Sequence, residues 1–155
     1  MDDRERPMIA CDPLPVPQLD LAQDCFVVGA PRAAAVLVHD PATWRRLWPG
    51  LALSVRQDRG AEGIRWTVDG PLFGSAEVWL ESYADGVVVH CYLRCDVAGS
   101  RLRPAAALRR KRRWQRRLWR ALWQLKDDLE GDRPPGTAPA TAPAAVKTRP
   151  AGAET

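Results

Sequence analysis

Apolar and polar residues alternate with two different periods along this chain. Between residues 51 and 97 the period is close to two, and from 104 to 130 it lengthens to that of a helix. Strands are predicted at 51–58, 63–70, 74–84 and 87–97. Leu51, Leu53 and Val55 alternate with Ala52, Ser54 and Arg56. Ile64, Trp66 and Val68 alternate with Arg65, Thr67 and Asp69. Asp85-Gly86 is a strong two-residue hairpin signal. It pairs Glu81 with His90, Trp79 with Tyr92 and Glu77 with Arg94 on one face. On the other it pairs Leu80 with Cys91, Val78 with Leu93 and Ala76 with Cys95. A short loop through Pro71 sets Trp66 beside Val78 and Arg65 beside Trp79. The result is a four-stranded antiparallel meander with one apolar face.

Ahead of the meander, Cys25-Phe26-Val27-Val28 is a short strand ending at Gly29. Pro31 suits the first turn of a short helix, which Asp40-Pro41 stops. A second short helix runs over 42–47 and ends at Trp48-Pro49-Gly50. The last element is a helix over 104–130, with Trp114, Leu118, Leu122, Leu125 and Leu129 on one stripe. That stripe and the apolar sheet face need each other as cover, which predicts an α+β fold. Asp127, Asp128 and Glu130 crowd the C-terminal end, the wrong end for the helix dipole.

Composition bounds the folded part. Nine of the 14 prolines lie before residue 18 or after residue 133. Residues 132–155 are rich in Pro, Ala and Thr and too poor in large apolar side chains to fold, so a disordered tail is predicted. Residues 1–20 read as an extended segment, leaving 21–131 as the domain. The amino terminus lacks a signal-peptide pattern and no apolar run is long enough to span a bilayer, so a cytoplasmic protein is expected. Cys11, Cys25, Cys91 and Cys95 then read as thiols. No CxxC pair or zinc spacing is present, so neither a metal nor a cofactor is expected.

Several stretches resemble a known family. They are Ala30-Pro31-Arg32-Ala33-Ala34-Ala35-Val36, Asp40-Pro41-Ala42-Thr43-Trp44-Arg45-Arg46-Leu47-Trp48-Pro49 and Gly70-Pro71-Leu72-Phe73-Gly74-Ser75-Ala76-Glu77-Val78-Trp79-Leu80-Glu81. Asp85-Gly86-Val87-Val88-Val89-His90 and Leu125-Lys126-Asp127-Asp128-Leu129-Glu130 complete the set. Together they resemble actinobacterial proteins of the SRPBCC superfamily, the START-like fold, labelled polyketide cyclase/dehydrase. The resemblance implies a helix-grip fold, in which a curved antiparallel sheet wraps a long C-terminal helix and two short helices follow the first strand. It also implies a hydrophobic small molecule, lipid or polyketide-like, held between sheet and helix. The full fold usually has seven strands, whereas five are read here. No polar catalytic set of an aromatase/cyclase maps onto this chain, so no catalytic residue is carried over.

Four candidate sites follow. The first is a cavity lined by Leu53, Val55, Trp66, Val78, Leu80, Val89, Cys91 and Leu93, with Trp114, Leu118, Leu122 and Leu125 as its lid. The alternative for the same residues is a filled core. The second is His90 with Glu81, Tyr92 and Arg94 as an acid–base group. The predicted register turns these side chains away from the helix, as cross-strand pairs. A cyclase or dehydratase would need them turned inward by a one-residue slip.

The third candidate is charge. Of the 23 basic residues, 11 lie in 101–126, which holds no acid, while the rest of the chain nets −7. Arg109, Arg110, Lys111, Arg112, Arg113, Arg116, Arg117 and Arg120, interleaved with Trp114, Trp119 and Trp123, suit an anionic partner such as lipid or nucleic acid. A solvated face is the plainer reading. The fourth is Trp44-Arg45-Arg46-Leu47-Trp48-Pro49, which by resemblance lies at the cavity mouth and otherwise serves as helix-to-sheet packing.

Overall fold

The computed structural model describes residues 16–99, 101–131, 133, 134, 136 and 137. Most of the predicted extended segment at 1–20 and of the predicted tail at 132–155 therefore lies outside the described residues, as does Cys11. The elements run β1 (Leu19–Val28), α1 (Pro31–His39), α2 (Pro41–Leu47), β2 (Ala52–Asp58), a 3-10 turn (Gly60–Glu62), β3 (Gly63–Asp69), β4 (Leu72–Tyr83), β5 (Gly86–Val97) and α3 (Pro104–Glu130). The five strands form one antiparallel sheet in the order β1-β5-β4-β3-β2. This is an α+β helix-grip architecture, with the short helices after the first strand and the long helix last.

Period-two alternation decides which residues face the helices. In β5, Val87, Val89, Cys91, Leu93 and Cys95 are buried, while His90, Tyr92 and Arg94 point to the opposite face. In β4, Leu72, Ala76, Val78 and Leu80 are buried, and Glu77, Trp79 and Glu81 alternate with them. Trp114, Leu118, Ala121, Leu122 and Leu125 of α3 close the core from above. Asp40 ends α1 and starts α2: its extended backbone precedes Pro41, and its carboxylate accepts from the Ala42 N–H at 2.8 Å.

The register differs from the predicted one by two residues, which leaves every side chain on its predicted face. Trp79 lies across from His90, Glu77 from Tyr92 and Val78 from Cys91. The turn is Ala84-Asp85, not Asp85-Gly86, and Ala84 takes a positive φ of 48°. The reason lies on the neighbouring strand. Gly86 pairs with Val28 of β1, and a Cβ there would meet the Val27 carbonyl oxygen at 2.1 Å. Glycine serves close strand approach here, so the turn moves back by one. Between β3 and β4, Trp66 lies across from Ala76 and Arg65 from Glu77, where Val78 and Trp79 are predicted. A large indole then faces a methyl group, and Arg65 gives Glu77 two hydrogen bonds of 2.9 and 2.7 Å.

Strand β1 starts at Leu19, six residues before its predicted start at Cys25. Gln23 occupies an inward position between Leu21 and Cys25 and hides the alternation. Because β1 is an edge strand, its outer backbone groups need partners. The last turn of α3 supplies them. Lys126 Nζ donates to the Phe26 carbonyl at 2.9 Å, and Glu130 accepts from the Val28 N–H at 2.7 Å. Burial raises the Glu130 carboxyl, but Lys126 and the Val28 N–H outweigh it and hold the group below its usual range. Asp128 pairs with Arg46 of α2 at 2.7 Å. The acidic helix end thus docks the helix, at some cost to the dipole.

Candidate functional site

The side chains predicted to line a cavity meet in one place. Trp66, Val78, Leu80, Val89, Cys91, Leu93, Trp114, Leu118 and Leu122 belong to a single buried cluster, as does Leu125. Leu53 is partly buried against that cluster, whereas Val55 is 50% exposed at the sheet edge. Strand β2 lies beyond the cover of α3, so its inward positions are only half enclosed.

A cleft opens beside this cluster, between α2 and the start of β2. It has a volume of about 270 Å³ and is lined by Pro41, Trp44, Arg45, Trp48, Gly50, Leu51 and Leu53. Its tryptophans differ in one respect. Trp44 donates its indole N–H to the Val38 carbonyl at 2.7 Å, ending a turn of α1. Trp48 and Trp66, 1% and 0% exposed, have buried indole nitrogens without an acceptor among the described residues. Trp66 packs edge-to-face on Trp44 at 5.3 Å, which ties the second orphan donor to the cleft wall. A buried donor without a partner costs roughly 1–3 kcal/mol, and such groups are rare in folded proteins. Nothing in the sequence marks these two tryptophans apart from the other five.

An apolar groove, about 490 Å³, runs between α1 and the end of α3 past Ala33, Val36, Leu37 and Leu129. Among the described residues it contains no orphan buried donor.

The proposed acid–base group lies on the sheet face opposite the helices. His90 bonds Asp24 at 2.8 Å and Glu81 at 3.1 Å, and stacks on Trp79 at 4.6 Å. Asp24 is the partner that the sequence reading misses, because it sits on the unread part of β1. Burial, helped by the charges of Asp24 and Glu77, pushes the Tyr92 phenol up. Arg94 reaches Asp20 at 3.4 Å. These side chains form a polar network separated from the apolar core by the sheet itself.

On α3, Trp119 and Trp123 are 41% and 46% exposed and meet edge-to-face at 5.8 Å. Among the described residues, none of the eight cations between 109 and 120 lies within ion-pair distance of a carboxylate. Arg117 covers the ring of Trp114. No helix among the described residues is long and apolar enough to cross a membrane.

Sheet, grip helix and short helices define the class: an α+β protein with a helix-grip fold. Solved structures share this fold. The Aha1 dimer from Colwellia psychrerythraea matches with a TM-score of 0.50 and 11% identity over 75% of this chain and 99% of its own. XoxI from Bacillus cereus matches at 0.51 and 11%, over 71% and 96%. The di-domain ARO/CYC StfQ from the steffimycin biosynthetic pathway matches at 0.51 and 13%, over 72% of this chain and 50% of that one. The present chain thus spans about half the length of the di-domain protein. At such identities the likeness is one of fold. No protein-family model and no curated protein matches the chain.

Proposed function

We propose that the protein binds a hydrophobic small molecule carrying a carbonyl-type acceptor, and that the α2–β2 cleft is its entrance. The observation that carries this reading is a pair of buried indole donors without a partner among the described residues: Trp48, which lines the cleft, and Trp66, which packs on the Trp44 of its wall. The side chains of Trp44, Trp48, Leu51 and Leu53 favour burial of the ligand body, and a few polar groups orient it. An acceptor oxygen on the ligand relieves the deficit of the indole N–H groups. Leu53 and Trp48 then act as ligand contacts, with Trp66 behind Trp44, and the other residues predicted to line a cavity, Val55 apart, form the packed wall behind them. A polyketide-like or lipid ligand fits this chemistry, and the fold shared with the ARO/CYC protein is in keeping with it. The sequence stretches that resemble the actinobacterial polyketide cyclase/dehydrase subgroup support the same assignment. Buried thiols at Cys25, Cys91 and Cys95 suit a reducing, cytoplasmic setting. Arg45 is the one ionisable side chain lining the cleft, and His90 and Tyr92 lie across the sheet from it, so we assign binding rather than catalysis.

The test compares two nearly isosteric probes, acetophenone and ethylbenzene, by calorimetry. Acetophenone is expected to bind about tenfold more tightly, as one or two neutral hydrogen bonds would give. The double variant Trp48→Phe, Trp66→Phe should abolish that preference. Equal affinity for both probes in the unmodified protein would overturn the reading.

A second reading concerns α3. Its cations, unpaired among the described residues, and its exposed indole pair support attachment to an anionic lipid surface, with Trp119 and Trp123 at the interface and the arginines on headgroups. This surface is separate from the cleft, so the two roles are compatible.

A further inference from the structure

The outer face of the sheet carries a depression of about 480 Å³, lined by Arg56, Arg59, Arg65, Ser75, Glu77, Trp79, Tyr92 and Arg94. Four guanidinium groups thus surround a hollow whose lining contains a single carboxylate. We propose that this hollow binds a nucleotide, with its base against Trp79 and its phosphates among the arginines.

Three features favour that ligand over a plain surface ion-pair network. The first is how the arginines are held. Glu77 accepts from Arg59 at 2.8 Å and from Arg65 at 2.7 Å, and its side chain is only 15% exposed. It fixes two guanidinium forks yet cancels one charge of the four. Each fork keeps donors free, and planar forks match phosphate oxygens in pairs. The second feature is the bulge in β2 between Val55 and Gln57, which leaves Arg56 outside the ladder. Bulges re-aim side chains, and here the re-aimed one lines the hollow. Arg94 meets Asp20 at 3.4 Å with both side chains well exposed, a contact worth little against a bound phosphate.

The third feature is the aromatic wall. His90 stacks on Trp79 at 4.6 Å, and Tyr92 lies parallel to His90 at 6.4 Å. Trp79's partner on β3 is Gly63, which has no side chain. Nothing larger than hydrogen fits at Gly63, because a Cβ would meet the Val78 carbonyl oxygen at 2.1 Å. The space beside Trp79 on its β3 side is therefore kept clear of the residue directly opposite. An aromatic side chain at the edge of such a basic hollow is a stacking platform for a base. A simple inorganic anion would use the arginines and leave Trp79 idle.

The probes are ATP, adenosine and tripolyphosphate, titrated by calorimetry into the full chain. ATP is expected to bind at least about tenfold more tightly than either part alone, since stacking and phosphate contacts act together. Arg56→Ala with Arg94→Ala should weaken ATP about tenfold or more, and both sites are exposed, so the fold is spared. Trp79→Leu should weaken ATP by about tenfold while leaving tripolyphosphate unchanged. Arg112→Ala with Arg116→Ala, on α3, should leave ATP binding unchanged. Tripolyphosphate binding as tightly as ATP would overturn the proposal, as would ATP binding that follows the α3 variant instead of the sheet-face one. The acetophenone site reports separately, so either result stands apart from the other.

Discussion

His39 illustrates how one side chain couples two elements. Its Nδ1 faces the Ala35 carbonyl at 2.7 Å and its Nε2 faces Asp58 of β2 at 2.9 Å. Both neighbours are acceptors, and imidazole donates from both nitrogens only when protonated. The Asp58 hydrogen bond therefore pushes the His39 pKa up, against some desolvation. The same bond, with the Gly60 N–H, holds Asp58 below its ordinary value. A raised histidine stabilises the fold below its ordinary value of 6.5 and loses that contribution as pH climbs through the folded value. The lowered Asp58 contributes above its ordinary 3.8 and fails as pH falls through its folded value. His39→Gln should therefore lower the thermal midpoint clearly at about pH 5.5 and much less at about pH 8.5. An equal loss at both pH values would mean that the imidazolium is not what matters.

At the scale of elements, α3 is the most legible and the most consequential. Pro104 opens it, and the apolar stripe from Trp114 to Leu125 is buried as its spacing predicts. Leu118 is fully buried beneath the sheet, so Leu118→Ala should destabilise by about 2–5 kcal/mol, read from denaturant midpoints. A midpoint left unchanged would mean that the stripe is not core. The strands are legible in face but not in register. A shift of two residues keeps every side chain on its side, so alternation cannot detect it. What decides it is non-local: the Val27 carbonyl beside Gly86, and the match of Trp66 with Ala76. The site follows the same logic. Trp44 and Trp48 stand out in sequence as two indoles at a helix–sheet junction. That Trp48 and Trp66 lack acceptors is visible only once their surroundings are assembled. The arginine hollow draws on β2, the turn after it, β3, β4 and β5, and no local motif joins those segments.

For the molecule as a whole, the charge split becomes spatial. The net charge of +4 separates into +11 over residues 101–126, most of them in α3, and −7 over the rest of the chain. Vesicles of phosphatidylcholine with phosphatidylglycerol should retain the protein at about 0.05 M salt and release it by about 0.5 M, because screening shortens with ionic strength. Trp119→Ala with Trp123→Ala should weaken retention further, and equal retention on pure phosphatidylcholine would sink the lipid reading. Cleft binding should barely respond to salt. The bulge at Arg56 has a consequence at this scale too. A five-stranded sheet that never closes leaves β2 as a bare margin of unpaired amides, the kind of margin on which a neighbouring molecule can zip. An extra residue, the charged Arg56, breaks that row, and charged Asp58 follows shortly after it. The irregularity that turns one arginine toward the hollow also spoils the margin as a template, so the protein can keep an open sheet and still resist polymerising along it.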